Sequence, residues 1–153
     1  MFKRIVIPVD GSATSNKALM VALQMASETG GSVRIIHVIE GTNYSTHAMQ
    51  SESFPGEFMK PVRNAAQKIL DDALELAKPF GAVVDSKLFD TFDGRLADAV
   101  GNAATEWQAD LIVVGTHGRR GIGRMLMGSG AEQIMRQAPI PVLVIRAQDA
   151  AGA

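Results

Sequence analysis

Cysteine is absent from the 153 residues of the chain, and aromatic residues make up only 5% of it. Without thiols the chain forms no disulfide, no thiolate metal site and no cysteine nucleophile. Its 15 basic and 16 acidic residues give a net charge of −1, so we expect no nucleic-acid partner. No apolar run reaches the roughly 18 residues of a membrane helix, and no signal peptide precedes Asp10. We therefore expect a cytoplasmic protein without a membrane span.

The remaining composition is that of a globular protein, with 46% hydrophobic and 20% charged residues. We expect one domain over residues 1–147 and a C-terminal tail over 148–153. Five short apolar runs predict strands over 5–9, 33–39, 83–89, 111–114 and 141–145. Apolar residues at helical spacing predict helices that begin near Ser15, Pro61, Leu96 and Ser129. The polar, aperiodic stretch 41–60 is interpreted as a mobile loop.

This alternation of strands and helices predicts an α/β fold, a parallel sheet with helices on both faces. Ligands of such sheets bind beyond the carboxyl ends of the strands, where the strand order reverses. Two loops follow strands there, Asp10-Gly11-Ser12 and the glycine-rich stretch 115–129. The second loop holds five glycines and three arginines and ends at a helix start. Backbone amides, a positive helix end and guanidinium groups favour a polyphosphate ligand.

Two known phosphate motifs do not fit this loop. Gly118 and Gly123 have P-loop spacing, but Arg124 and Met125 replace the lysine and the hydroxyl residue that bind phosphate and Mg²⁺. The dinucleotide pattern G-x-G-x-x-G also fails, because Gly121 and Gly123 are followed by leucine at 126. A solvated surface loop is the alternative to a phosphate site on this evidence alone.

Three separated motifs resemble the universal stress protein family. The spacing of Gly115, Gly118 and Gly128-Ser129 matches the family signature G-2x-G-9x-G-[ST]. The stretches 8–12, 37–38 and 138–146 are similar to the family as well. The resemblance covers nearly the whole chain and implies a Rossmann-like sheet in the order 3-2-1-4-5 that binds ATP at the switch point.

The resemblance assigns roles to individual residues. Pro8, Val9 and Val38 frame the adenine, Val38 through its backbone, and Asp10 binds ribose or holds Mg²⁺. The remaining ATP-binding candidates are Gly115, His117, Gly118, Arg119, Gly128, Ser129 and Gly130. A helix-capping aspartate is the alternative for Asp10.

Two further features qualify these roles. Gly130-Ala131 stands where the family often has a β-branched and a hydroxyl residue, so one phosphate hydrogen bond is expected to be missing. The histidines at 37 and 47 lack partners at metal-ligand spacing, and we interpret both as structural.

The fifth strand falls at the sheet edge in the implied order, with apolar residues and only two prolines near its start. Such an edge invites pairing, and the resemblance implies an antiparallel homodimer, for which Val142 and Val144 are the interface candidates.

We expect an ATP-binding regulatory module whose nucleotide state is read by partner proteins. A slow ATPase or phosphotransfer enzyme using the same pocket is the first alternative, and an adaptor with a vestigial pocket is the second.

Overall fold

The computed structural model describes residues 1–40, 56–91, 95–116 and 128–146. The strands are β1 (Arg4–Pro8), β2 (Ser32–Glu40), β3 (Val83–Thr91), β4 (Leu111–Gly115) and β5 (Val142–Ile145). The helices are α1 (Ala13–Thr29), α2 (Gly56–Ala77), α3 (Leu96–Glu106) and α4 (Ser129–Gln137), and a short 3₁₀ turn (Lys78–Phe80) follows α2. The predicted α/β alternation is confirmed within these ranges.

The five strands form one sheet in the order β3-β2-β1-β4-β5, with every pair parallel. This order confirms the one that the family resemblance implies. β1 is central, and the strand order reverses between β1 and β4, which are hydrogen-bonded neighbours. The loops that follow β1 and β4 therefore leave the same edge of the sheet side by side.

Side chains of β1 alternate between two cores. Ile5 and Ile7 pack with α1 and α2 on one face, whereas Val6 packs with α3 and α4 on the other. All three side chains are fully buried. This two-sided burial explains the continuous apolar runs of the strands, because a parallel sheet is covered on both faces. No helix of the described ranges combines the length and apolar character needed to cross a bilayer.

Pro8 ends the central strand, as predicted from its missing N–H. Gly30 ends α1 in the left-handed conformation, at φ 68°, and its N–H donates to the carbonyl of Ala26. This agrees with the predicted glycine stop.

The second helix begins earlier than predicted. The helix starts at Gly56 and contains Pro61, so the prediction of a loop through residue 60 is wrong for 56–60. Pro61 is the sixth residue of this helix and lacks the N–H that would bond to Glu57 O, so the 22-residue helix forms with one intrahelical bond fewer. Residues 41–55 and the tail 148–153 lie outside the described ranges.

Candidate functional site

The chain leaves β1 through a tight turn at Asp10, Gly11 and Ser12. Gly11 adopts φ 82°, which a side chain would strain. Ser12 N–H donates to Asp10 Oδ1 at 2.9 Å, and Ser15 N–H donates to Ser12 Oγ at 3.1 Å. Ser12 is thus the N-cap of α1, so Asp10 is not the helix cap that the alternative interpretation required. Asp10 instead shapes the turn at the carboxyl edge of the sheet.

Gly115 brings the end of β4 against this turn. A Cβ at Gly115 would lie 2.8 Å from Thr14 Cγ2 and 3.2 Å from Thr14 O. Only glycine allows this approach without displacing the first turn of α1. The end of β4 and the start of the helix that follows β1 therefore meet at one place.

A backbone hydrogen bond closes the glycine loop at its base. Gly128 N–H donates to the carbonyl of Thr116 at 2.6 Å, and Thr116 N–H donates to Ile145 O at 2.9 Å. Thr116 is buried. The signature glycines 115 and 128, thirteen positions apart in the sequence, consequently stand next to the same residue, and the start of α4 is fixed to the edge of the sheet.

Among the residues that the structure describes, no side chain caps the N-terminus of α4. Gly128 is the N-cap and carries no side chain, and the first intrahelical bond joins Glu132 N–H to Gly128 O. The N–H groups of Ser129, Gly130 and Ala131 therefore have no intrahelical acceptor. Such a helix end attracts anions through its N–H groups and its dipole.

Gly130 serves the contact between two helices. A Cβ at this position would lie 3.0 Å from Leu96 Cδ2 at the start of α3. The substitution of glycine for the β-branched residue common in the family thus lets α4 pack closely on α3. Ser129, by contrast, is exposed at the helix start.

The backbone N–H and C=O of Val38 point toward the side of β1, just beyond the end of that strand. Val9 N–H donates to Ile36 O at 2.8 Å, so the main-chain groups of Ile36 point toward β1. Strand residues repeat their orientation every second position, and the N–H and C=O of Val38 therefore point the same way. In the described ranges, no backbone hydrogen bond joins Val38 to Val9 or to the turn that follows.

His37 takes part in the site in a way that sequence reasoning missed. Its Nδ1 lies 2.6 Å from the carbonyl oxygen of Val9. A carbonyl oxygen only accepts, so Nδ1 carries the proton in this contact. The structural role expected of His37 is therefore a contact with Val9, which is one of the residues predicted to frame the adenine. Thr14, the residue packed on Gly115, was also missed, and its β-branched side chain gives no sequence signal for that contact.

Several predicted residues cannot be placed. His117, Gly118, Arg119 and His47 lie outside the described ranges. Among the residues that the structure describes, no group of three or more acidic, histidine or cysteine side chains could hold a metal ion. Any Mg²⁺ bound here would therefore need ligands beyond the described side chains, such as the phosphates of a nucleotide.

β5 is the last strand of the sheet and pairs with β4. The carbonyls of Pro141 and Ile145 accept from β4 and from Thr116, so the main-chain groups of these odd-numbered residues face inward. The N–H and C=O of Val142 and Val144 consequently face the edge, away from β4. Both predicted interface residues thus present their backbone at this edge, while their side chains pack on the core shared with α3 and α4.

Comparison with known proteins agrees with this fold. A family model described as "Universal stress protein family" matches residues 1–146. Universal stress protein MJ0531 of Methanocaldococcus jannaschii is 32% identical over 147 residues, which are 95% of this chain and 83% of the relative.

Solved structures are similar over nearly the full length. Hypothetical protein MJ0577 superposes with a TM-score of 0.82 at 22% identity, covering 98% of this chain and 99% of the other. A universal stress protein solved in complex with cAMP has a TM-score of 0.67 at 26% identity, covering 95% of this chain and 97% of the other.

Proposed function

The chain belongs to the universal stress protein family, and we propose that it binds ATP at the carboxyl edge of the sheet, between β1 and β4. In this proposal the protein is a regulatory module, and partner proteins respond to its nucleotide state. The observation that carries the proposal is the N-terminus of α4, which no side chain of the described residues caps and which the bond from Gly128 to Thr116 fixes to the end of β4.

The phosphates are assigned to the start of α4. Three successive N–H groups there lack intrahelical acceptors, and the helix dipole adds roughly half a positive charge. Gly128, the N-cap, places no side chain at this end. The glycine signature continues through Gly118, and Arg119 is proposed to bind the outer phosphates, where a guanidinium makes two parallel bonds.

The adenine is assigned to the gap beyond Pro8 and Val9. The backbone of Val38 directs one donor and one acceptor into it, and adenine offers the complementary pair, the ring acceptor N1 beside the N6 amino group. The 26%-identical relative solved with cAMP supports an adenine nucleotide as the ligand class. Asp10 is proposed to bind the ribose hydroxyls.

Magnesium enters the proposal only together with ATP. Mg²⁺ commonly uses one or two carboxylates plus phosphate oxygens and water. Asp10 is the acidic residue on the β1 turn, and it is proposed as that carboxylate.

Binding is favoured over efficient catalysis by the chemistry of the described side chains. Phosphoryl transfer requires a positioned nucleophile and a metal clamp. The described residues contain no metal-ligand cluster, and the His37 Nδ1 is engaged with a carbonyl. A slow ATPase remains the competing proposal.

The nucleotide released by denaturing freshly purified protein separates these proposals. Intact ATP at about one per chain is expected for a binding module, whereas mostly ADP or AMP would favour the slow enzyme. Protein that is isolated empty is then titrated with ATP, with GTP as the base control. Absence of saturable binding in that titration would overturn the nucleotide proposal and leave the adaptor.

We further propose a homodimer through β5, because Val142 and Val144 turn their backbone groups to the sheet edge. Val144→Pro removes one outward N–H without removing a bond to β4. Light scattering after size exclusion is expected to give a monomer for this variant and a dimer for the natural chain. A monomeric natural chain at micromolar concentration would contradict the proposal.

A further inference from the structure

We propose that His37 is a positioning residue for base recognition, which keeps the N–H of Val38 available to the nucleotide by binding the carbonyl of Val9. This inference rests on the proposed nucleotide site. It adds to that proposal a residue that touches no ligand and yet determines which base the site prefers.

The first step of the argument is the register of β1 and β2. Val9 N–H bonds to Ile36 O at 2.8 Å. In a parallel ladder the next bond would join Val38 N–H to Val9 O. That bond is not present between these described residues, although the strand register brings both groups to the same place.

The second step is the partner that Val9 O has instead. His37 Nδ1 lies 2.6 Å from this oxygen. Main-chain groups of a strand lie in the sheet, whereas side chains project from its faces. A carbonyl bonded to the side chain of His37 is therefore turned out of the sheet, away from the Val38 N–H. The imidazole takes the acceptor that would otherwise extend the ladder by one bond.

The third step is the fate of that carbonyl without the histidine. Val9 is only 4% exposed, and a buried carbonyl without a partner costs free energy. The nearest donor along the ladder is the N–H of Val38. Loss of the His37 donor would therefore extend β1 pairing and occupy the group proposed to read adenine.

The consequence is specific to the base. Adenine presents an acceptor beside a donor on its pairing edge, whereas guanine presents a donor beside an acceptor. Loss of the Val38 N–H should weaken ATP binding and leave the weak binding of GTP unchanged. A purely structural role of His37 would weaken both nucleotides in proportion.

The test compares His37→Phe with His37→Asn in titrations with ATP and GTP. Phenylalanine keeps an aromatic ring but has no donor. Asparagine carries an amide N–H near the position of Nδ1. We expect His37→Phe to lower ATP affinity about tenfold, the effect of one hydrogen bond of about 1.4 kcal/mol. GTP affinity should not change, and His37→Asn should restore the preference for ATP.

A second measurement needs no nucleotide. In the unliganded natural chain the Val38 amide proton should exchange with solvent faster than that of Ile36, as followed by NMR. In His37→Phe, or in His37→Leu if the first variant does not fold, exchange at Val38 should slow at least tenfold through its new bond.

Each remaining outcome overturns a distinct statement. If His37→Phe keeps the natural preference for ATP over GTP, the role of His37 is overturned. The same holds if His37→Phe loses equal affinity for ATP and GTP and His37→Asn does not restore it. A natural chain that binds neither nucleotide would overturn the proposed function, and this inference with it. Slow Val38 exchange in the natural chain would contradict the geometry on which the inference depends.

Discussion

At the edge of the sheet where the strands begin, polar groups bond to one another within the chain. At the edge where the strands end, no described side chain caps the N-terminus of α4, and the backbone of Val38 makes no bond to Val9. The first edge is built by Asp110, whose carboxylate accepts from the N–H groups of Lys3 and Arg4 at 2.9 to 3.2 Å. The Arg4 guanidinium donates to Trp107 O and lies 4.1 Å from the centre of the Trp107 ring.

A cross-strand ion pair adds to this amino edge. Arg34 makes two hydrogen bonds to the carboxylate of Asp85, at 2.8 and 2.7 Å. The hydrogen bonding of Arg34 to Asp85 raises the pKa of the Arg34 guanidinium, against the opposing effect of burial, and the charges of Asp85 and Glu106 raise it further. Arg34 therefore stays charged at neutral pH.

The carboxyl edge differs in the residues that occupy it. Gly115 packs against Thr14 at the start of α1, and Gly128 is the N-cap of α4, where no described side chain caps the helix. In our proposal the two edges divide their roles: bonds inside the chain stabilise the amino edge, and the carboxyl edge offers backbone donors to the nucleotide. If this division holds, substitutions at one edge should change stability and those at the other should change binding.

The largest expected effect is that of Gly128→Asp. An aspartate N-cap should stabilise α4 by only a few tenths of a kcal/mol relative to glycine, while its charge and its occupation of the N–H groups should lower ATP affinity about a hundredfold. Calorimetric titration and thermal unfolding measure the two effects. Gly128→Asn supplies the cap without the charge and should lose less affinity. Unchanged ATP binding in the aspartate variant would place the phosphates elsewhere.

The next effect is on stability, at the amino edge. A Cβ at Gly31 would lie 2.7 Å from the backbone oxygen of Lys3, so β1 would have to move. We expect Gly31→Ala to lower the free energy of unfolding by about 2 kcal/mol. Chemical denaturation measures this change, and the affinity for ATP, measured where the variant is folded, should stay the same. A large loss of affinity would break the proposed division between the edges.

A substitution at Gly115 should affect both properties. The added methyl group of Gly115→Ala would contact Thr14 Cγ2 and displace the first turn of α1. We expect ATP affinity to fall about tenfold, corresponding to about 1.4 kcal/mol. Thr14→Ser removes Cγ2. Gly115→Ala should therefore lower ATP affinity less in a chain that already carries Thr14→Ser than in the natural chain. Strict additivity of the two changes would exclude this contact as the cause.

The smallest expected effect is that of Arg4→Met. Methionine keeps an apolar stem but loses both hydrogen bonds to Trp107 O and the contact with its ring. We expect a loss of about 1 kcal/mol in stability and no change in ATP affinity. Arg4→Lys retains a charge over the ring and should lose less. Equal losses for lysine and methionine would assign the stabilisation to the guanidinium hydrogen bonds alone.

Much of the fold was predictable because it depends on local patterns. Continuous apolar runs such as 111–114 predict buried parallel strands, and the glycine after α1 predicts its end. The order of the strands came from a resemblance between motifs. The start of α2 was predicted wrongly, because Pro61 is a common first helical residue and nothing in the polar stretch before it marks a helix.

The candidate site was predictable in its components and not in its contacts. The spacing of Gly115 and Gly128 indicates a ligand loop, yet only the fold brings both beside Thr116. The assignment of His37 as structural was reasonable from its lack of metal-ligand partners. Its bond to Val9 O depends on the register between two strands whose residues are 28 positions apart.

The sequence by itself determined the alternation of elements, the apolar faces and the glycine positions, because these follow from the period of side chains and the conformational range of single residues. The tertiary structure alone decided which backbone groups remain outside the hydrogen-bonded ladder. Strand register set the direction of Val38 and Val144, and helix packing set the room at Gly115 and Gly130. Whether a backbone group stays outside the ladder depends on which strand or helix lies beside it. No single segment of the chain contains that information.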